Sequence, residues 1–224
     1  KNVPKTFHRN WSHSSMPLQY TKKSMKIIEQ ILNFVFPPRP SEALIQKAAM
    51  NQISLNKAEG IFENIKYLTK YENPLVGATI RENKYFNNSK ATRLLGEVLK
   101  NSLLQLKGEV IIIPVPLSKE RFRERGYNQV ETIARYTGSL VKTDILERSV
   151  HTVPQTSLNK ASRLKNVAGA YICKKPEEVN KLENTTIILL DDVVTTGATL
   201  NAARASLAPH LHPTSKLICL AIAH

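Results

Sequence analysis

Two adjacent acids and a run of hydroxyl residues stand close together in the sequence. Asp191 and Asp192 follow the apolar segment 186–190, and a loop of small residues separates them from a helical pattern that begins at Leu200. Carboxylates accept hydrogen bonds from vicinal hydroxyls, such as those of a ribose. Backbone N–H groups at a helix start, with threonine hydroxyls beside them, favour a phosphate monoester. The pattern therefore predicts a site for a phosphorylated sugar. The loop residues are Val194, Thr195, Thr196, Gly197, Ala198 and Thr199.

This phosphate loop differs from the two common nucleotide-binding signatures. The sequence contains neither a Gly-x-x-x-x-Gly-Lys-Ser/Thr P-loop nor a dinucleotide fingerprint at this position. The alternative is a chance strand-to-helix loop, with Asp191 and Asp192 as solvated charges at the end of a strand. The length of the pattern favours a ligand site.

A cationic segment follows a second apolar strand, predicted at residues 110–115. It contains Lys119, Arg121, Arg123 and Arg125. Arginine and lysine at the carboxyl end of a strand would suit a pyrophosphate. Taken alone, such a run of charges is more typical of a solvated surface.

Composition limits the function classes. The chain has 32 lysine and arginine residues against 18 aspartate and glutamate residues, a net charge of +14. Such a surface attracts polyanions, which include both phosphate-rich small ligands and nucleic acids. No apolar run approaches the roughly 20 residues of a membrane span, and the first twenty residues lack the apolar core of a secretory signal. We therefore expect a soluble, cytoplasmic protein, in which Cys173 and Cys219 are buried thiols.

Strand and helix patterns alternate through most of the chain. A helix is predicted at residues 91–104, and another begins at Asn128 with Glu131 three residues later, as in a capping box. Such alternation predicts parallel crossover units and a three-layer α/β domain. Further strands are predicted at residues 171–173, 186–190 and 217–223, and a further helix at residues 200–207.

The N-terminal part has weaker patterns. We predict a flexible tail at residues 1–23, an N-terminal helix and hood region at 24–83, and the main domain at 84–224. Within the hood, residues 24–35 have helical spacing. The turn signal Glu72-Asn73-Pro74 between residues 65–71 and 75–80 predicts a β-hairpin, although residues 58–65 also suit a helix.

Several motifs together resemble the ComF/GntX family of competence-associated type I phosphoribosyltransferase-like proteins. The resemblance covers roughly residues 36–224. It implies a type I phosphoribosyltransferase fold, with a central, mostly parallel sheet flanked by helices and a small N-terminal helical or hairpin hood. Many members carry Cys-x-x-Cys zinc motifs after Phe-Pro-Pro-Arg, and no cysteine follows that element here, so we expect no protein-bound metal. The motifs are Phe36-Pro37-Pro38-Arg39, Lys84-Tyr85, Val115-Pro116-Leu117, Arg125-Gly126-Tyr127-Asn128-Gln129, Gln155, Leu158, Arg163, Asn166 and the phosphate loop.

The resemblance also implies a role for each motif. The ligand is 5-phosphoribosyl-1-pyrophosphate (PRPP), which Mg²⁺ accompanies through the ligand's own oxygens. Asp191 and Asp192, the candidate catalytic residues, would hold the ribose hydroxyls, and the phosphate loop would hold the 5-phosphate. Residues 152–166 would form a lid. The pyrophosphate loop would be Leu117, Ser118 and Lys119. Arg125, Asn128, Gln155, Arg163 and Asn166 would support the site, either by fixing loops or by contacting the ligand.

Two functions remain open at this point. The first is transfer of the phosphoribosyl group to an unidentified nucleobase-like acceptor, with release of pyrophosphate. No residue stands out as a general base. The alternative is a non-catalytic or PRPP-sensing protein of DNA uptake that binds single-stranded DNA. A homodimer is left open, and no membrane partner is expected.

Overall fold

The computed structural model describes residues 37–50, 52–55, 58–149 and 169–224. It divides the chain into two units, residues 1–39 and 40–224, and every element below belongs to the second. Three predicted features lie outside the described residues: the tail at 1–23, the helix at 24–35 and the lid with Gln155, Arg163 and Asn166.

The described strands form a central sheet and a small separate one. Both are built from short apolar segments, as the alternating pattern predicts. In chain order the strands are β1 (Gly60–Phe62), β2 (Ile65–Thr69), β3 (Glu109–Pro114), β4 (Leu140–Val141), β5 (Leu146–Arg148), β6 (Tyr171–Cys173), β7 (Thr185–Val193) and β8 (Lys216–Ala223).

The central sheet has six strands in the order β1-β2-β8-β7-β3-β4. Only β1 runs antiparallel to its neighbour, and the other four pairings are parallel. Strands β5 and β6 form the separate antiparallel pair. The predicted α/β class, with a mostly parallel central sheet, is therefore confirmed.

Helices cover both faces of this sheet. The described α-helices are α1 (Pro40–Lys47), α2 (Gln52–Leu55), α3 (Pro74–Phe86), α4 (Ser89–Leu103), α5 (Lys119–Arg125), α6 (Gln129–Tyr136), α7 (Pro176–Asn180) and α8 (Ala198–Leu207). None of these described helices is long and apolar enough to cross a bilayer.

The buried residues form two clusters, one on each face of the sheet. Ile112 and Ile188 pack with residues of α3, α4 and α6. Ile113 and Ile187 pack with residues of α7, α8 and the small sheet. Successive side chains of a strand point to opposite faces, so one apolar strand serves both clusters. The result is the predicted three-layer arrangement.

The predicted hairpin is wrong in its second strand. Residues 75–80 lie in helix α3, because Asn73 caps that helix and accepts hydrogen bonds from Leu75 N (3.0 Å) and Val76 N (3.4 Å). Pro74 is the first helical residue. The N–H of a residue at this position has no partner within the helix, so the missing N–H of proline costs nothing there. An Asn-Pro pair therefore begins a helix here instead of a turn between strands.

The hairpin in the structure lies one strand earlier. Strands β1 and β2 are joined by Glu63 and Asn64, whose φ angles of 51° and 62° are typical of a tight two-residue turn. Strand β2 then pairs in parallel with β8 in the central sheet. The hairpin thus belongs to the main sheet, and residue 83, the predicted end of the hood, lies inside α3.

The two cysteines are free thiols, as predicted. Cys219 is buried in β8, and Cys173 is half-buried in β6. Burial raises the pKa of both thiols, so both are held as neutral groups in the apolar core.

Candidate functional site

The parallel strands bring the two predicted motifs to one edge of the sheet. The phosphate loop follows β7, and the cationic segment follows β3, its neighbour in the sheet. Because neighbouring parallel strands end at the same edge, segments 75 residues apart in sequence become adjacent. The carboxyl edge of such a sheet is the usual place for a ligand.

The two acids are not equivalent. Strand β7 continues to Val193, so Asp191 and Asp192 are consecutive strand residues whose side chains point to opposite faces. Asp192 is only 5% exposed. Its Oδ2 accepts a hydrogen bond from Gln129 Nε2 at 3.0 Å and lies 3.8 Å from Lys84 Nζ. Its negative charge is therefore compensated from within the protein.

Asp191 has a different environment. It is half-buried, and its Oδ1 accepts a hydrogen bond from the backbone N–H of Asp192 at 2.9 Å. Removal from water, and then the charge of Asp192, raise the pKa of Asp191 well above its ordinary value, although Lys84 opposes the rise. Hydrogen bonds donated by a ligand's hydroxyl groups would therefore stabilise the charged form of Asp191 more than that of Asp192.

Tyr171 lies near Asp191, and two arginines lie near Tyr171. Burial raises the pKa of Tyr171; Arg148 opposes the rise, the charge of Asp191 adds to it, and Arg121 opposes it. The Arg148 guanidinium carbon lies 5.9 Å from the centre of the Tyr171 ring. The sequence analysis gave Arg148 and Tyr171 no role. Helix α5 and strand β5 therefore bring positive charge close to Tyr171.

The phosphate loop presents unused hydrogen-bond donors. Among the described residues, none accepts a hydrogen bond from the backbone N–H of Thr195, Thr196 or Gly197. Both threonines are exposed, as is Thr199 in the first turn of α8. Gly197 has a φ of 71°, a left-handed conformation that glycine adopts without strain. An oxyanion at this loop would meet several N–H and hydroxyl donors at the positive end of a helix.

The base of the phosphate loop is held firmly. Val194 N donates to Ala223 O at 2.9 Å, and Val194 O lies 3.1 Å from Nδ1 of His224. The His224 ring stacks on Phe62, with 4.4 Å between the ring centres. His224 is half-buried and orients the loop.

The predicted pyrophosphate loop leads into helix α5, which sequence reasoning did not predict. Ser118 caps the helix, and its Oγ accepts a hydrogen bond from Arg121 N at 3.3 Å. Leu117 and Ser118 are half-buried, whereas Lys119 is exposed. Ser118 is thus used for capping, and Lys119 can reach a ligand.

Asn128 and Arg125 have different positions. Asn128 is buried, accepts a hydrogen bond from Val130 N and donates one to Val115 O, both at 3.0 Å. These contacts favour loop fixing over ligand contact. Arg125 Nη1 donates to Gln129 Oε1 at 2.8 Å, and its guanidinium lies 5.5 Å from the Tyr85 ring.

Gln129 therefore links the cationic helix to the acid pair. Its Oε1 is held by Arg125, which turns its Nε2 towards Asp192. Sequence reasoning quoted Gln129 and Lys84 as family landmarks but assigned neither to the site. One signal could have found Gln129, because it is a polar residue among the buried residues of amphipathic α6. Its partner Asp192 is 63 residues away, so the sequence offers no indication of the contact.

No zinc site is visible in the described part of the chain, which contains no cluster of three or more His, Cys, Asp or Glu side chains suited to a metal. The zinc-free state remains a prediction. Purified protein is expected to contain no stoichiometric zinc and to keep its circular dichroism spectrum in a strong chelator. Elemental analysis that finds about one zinc per chain would contradict this expectation.

Three curated proteins are similar to the chain. Competence protein F of Haemophilus influenzae is 31% identical over 126 residues, which is 54% of each protein. ComFC of Bacillus subtilis is 36% identical over 96 residues, 42% of this chain and 36% of that protein. ComFC of Streptococcus pneumoniae is 31% identical over 112 residues, 50% of this chain and 47% of that protein. The chain thus spans about half or less of each relative.

Comparison with solved structures finds enzymes to which the chain is similar. Adenine phosphoribosyltransferase of Saccharomyces cerevisiae aligns with 80% of this chain and 89% of its own length, at 16% identity and a TM-score of 0.35. Glutamine PRPP amidotransferase of B. subtilis aligns with 62% of this chain and 30% of its own length, at 14% identity and the same TM-score. No model of a protein family matches the chain.

Proposed function

We propose that this chain, whose similarity to Competence protein F and the ComFC proteins supports membership of the ComF family, binds PRPP. The reaction we propose transfers the phosphoribosyl group to an unidentified nucleobase-like acceptor and releases pyrophosphate. One observation carries the proposal. A half-buried carboxylate, Asp191, and a loop with unused N–H donors stand on the same edge of a parallel sheet.

Each part of PRPP has a matching group in this arrangement. The loop at Thr195, Thr196 and Gly197 suits the 5-phosphate, and Asp191 suits the ribose hydroxyls. Arg121 and Arg148, whose charges act on Tyr171 near Asp191, suit the pyrophosphate.

In the proposed transfer, the bond from C1 of the ribose to the pyrophosphate oxygen breaks as the acceptor forms its bond to C1. The leaving electron pair remains on the pyrophosphate, whose charge Arg121 and Arg148 would oppose. The N–H proton that the acceptor loses passes to water, since no described residue stands out as a general base. The protein contributes mainly position and charge.

Magnesium fits this site as a companion of PRPP. The Asp191 carboxylate supplies oxygen atoms, the ligand type that Mg²⁺ prefers, and Mg²⁺ is commonly held by substrate phosphates together with few protein groups. Asp191 has no cationic partner within ion-pair distance in the described residues, so an added positive charge nearby would be favourable. Bound Mg²⁺ would supply charge neutralisation for the pyrophosphate.

Calorimetric titration with PRPP, with and without Mg²⁺, tests the binding step. We expect binding that strengthens with Mg²⁺. Release of pyrophosphate in the presence of individual nucleobases tests the transfer step. Absence of binding at millimolar PRPP would overturn the proposal, and binding without release for any base would leave a PRPP sensor.

Single-stranded DNA binding is a second candidate, favoured by the net charge of +14 and by exposed cations on α5. Replacing Lys119, Arg121, Arg123 and Arg125 with Gln should abolish salt-sensitive DNA binding, because phosphate contacts supply the salt dependence. Fluorescence anisotropy with a labelled oligonucleotide at two salt concentrations measures this effect. An unchanged salt dependence would rule out α5 as the DNA contact.

A further inference from the structure

Helix α5 divides its cations between two sides. Lys119, Phe122 and Arg123 recur at helical spacing and line a cleft next to β3. Arg121 and Arg125 are not among the residues of that cleft, and Arg125 contacts Gln129 on the side of the acid pair. A helix places residues three or four apart on one face, so the two sets project in different directions.

The cleft has the size of a small-molecule site. Its volume is about 620 Å³, within the range of roughly 300 to 1,000 Å³ typical of ligand pockets. Pro114, Pro116 and Leu117, at the end of β3, provide apolar surface, and Glu131 of α6 stands at its border. The cleft therefore combines apolar walls with a few charged groups, as ligand sites commonly do.

The charges that line the cleft favour an anion. Glu131 is already paired, because its Oε1 accepts a hydrogen bond from Arg135 Nε at 2.8 Å. Arg123 lies 3.9 Å from Glu120, but both side chains are more than two thirds exposed, so this pair is weak. No ion pair of Lys119 within 4.0 Å is found in the described residues. Lys119 and Arg123 thus leave the cleft positive.

Phe122 gives the cleft an aromatic face. Its side chain is 50% exposed, although an apolar cluster lies on each face of the sheet. Phenylalanine side chains are more often buried. An exposed aromatic ring between cations matches the arrangement that binds nucleotides, in which the base stacks on the ring and the phosphate pairs with the cations. A phosphate without a base would pair with the cations and would leave the Phe122 ring without a partner.

We propose that the α5 cleft is a nucleotide-binding site separate from the acid pair. Phe122 stacks on the base, and Lys119 and Arg123 pair with the phosphate. This site goes beyond the proposed function, since none of its lining residues belongs to β7 or to the phosphate loop, although it includes Leu117 and Lys119 of the predicted pyrophosphate loop. The same chemistry is offered by a free nucleoside monophosphate and by one unit of a single strand.

Two probes distinguish these sources. AMP carries a phosphate monoester, and the dinucleotide thymidylyl-(3′,5′)-thymidine carries only a diester, which resembles a strand. Calorimetric titration of the full chain should show binding of at least one probe. Phe122→Ala should weaken it at least about tenfold, as expected for the loss of one stacked base. Phe86→Ala, which alters a partly exposed phenylalanine outside the cleft, is the matched control and should change it less than about twofold.

A second comparison separates this site from the PRPP site. Asp191→Asn should retain Phe122-dependent nucleotide binding, and Phe122→Ala should retain PRPP binding. AMP that binds only through the phosphate loop would be insensitive to Phe122→Ala, and that result would overturn the proposal. Binding of neither probe, equal losses in Phe86→Ala and Phe122→Ala, or loss of nucleotide binding in Asp191→Asn would also overturn it. The test of nucleotide binding in the α5 cleft does not depend on whether the parent chain binds PRPP.

Discussion

The Asp191→Asn, Asp192→Asn double variant is expected to bind PRPP at least about tenfold more weakly than the parent chain. The change removes two negative charges from the carboxyl edge of β7 and leaves amides that accept hydroxyl hydrogen bonds less strongly. Charge-assisted hydrogen bonds contribute about 1.5 to 3 kcal/mol each, and about 1.4 kcal/mol corresponds to one decade of affinity. Calorimetry at saturating Mg²⁺ measures the effect.

The single variants should differ, since the two acids have different surroundings. Asp191→Asn should account for most of the affinity loss, because Asp192 already bonds to Gln129 and faces Lys84. Equal PRPP affinity in the parent and the double variant would show that neither acid is a ribose ligand. The assignment of Asp191 and Asp192 as ligands of the ribose hydroxyls would then be wrong.

Stability provides the control for the Asp191 variant. The pKa of Asp191 is raised in the folded chain, so the folded state holds this proton more tightly than the unfolded state does. The contribution of Asp191 to stability is therefore present at low pH and is lost as the pH rises towards the raised pKa. Asp191→Asn should make urea unfolding less dependent on pH in this range and should stabilise the free protein at neutral pH. A weaker ligand affinity in a more stable protein cannot be attributed to unfolding.

Gln129→Leu is expected to destabilise the free protein and to reduce PRPP affinity by less than Asp191→Asn does. The variant removes the 3.0 Å donor from the buried Asp192 carboxylate and the 2.8 Å acceptor from Arg125. A buried charged group that loses a hydrogen bond costs about 1.5 to 3 kcal/mol. Urea unfolding and PRPP titration measure the two effects.

A double-mutant cycle with Asp192→Ala shows whether Gln129 acts through Asp192. In the proposed arrangement the two losses are not additive, because each change removes the same hydrogen bond. Arg135→Gln is a control on the same helix, since its exposed ion pair with Glu131 should contribute at most about 1 kcal/mol. Additive losses of PRPP affinity would mean that Gln129 does not position Asp192.

Local sequence determined the elements that carry the phosphate loop. Strand β7 and helix α8 are continuous in sequence with the phosphate loop, and their apolar patterns predict a strand, a loop and a helix in that order. Asn128 was correctly identified as the start of α6, because the capping interaction involves residues two positions apart. The predicted hairpin was wrong for a local reason as well, since Asn73-Pro74 is equally typical of a turn and of a helix start.

Only the tertiary structure decided how these elements combine into a site. The sequence places Asp191 beside Asp192, but strand alternation turns them to opposite faces, where Gln129 and Lys84 meet only Asp192. The cations of α5 form one run in sequence, and the helix divides them between a cleft and the acid pair. A residue's type and neighbours set its local conformation. Contacts across dozens of residues, by contrast, depend on which strands pair and which face each helix covers, and these are set by packing of the whole core.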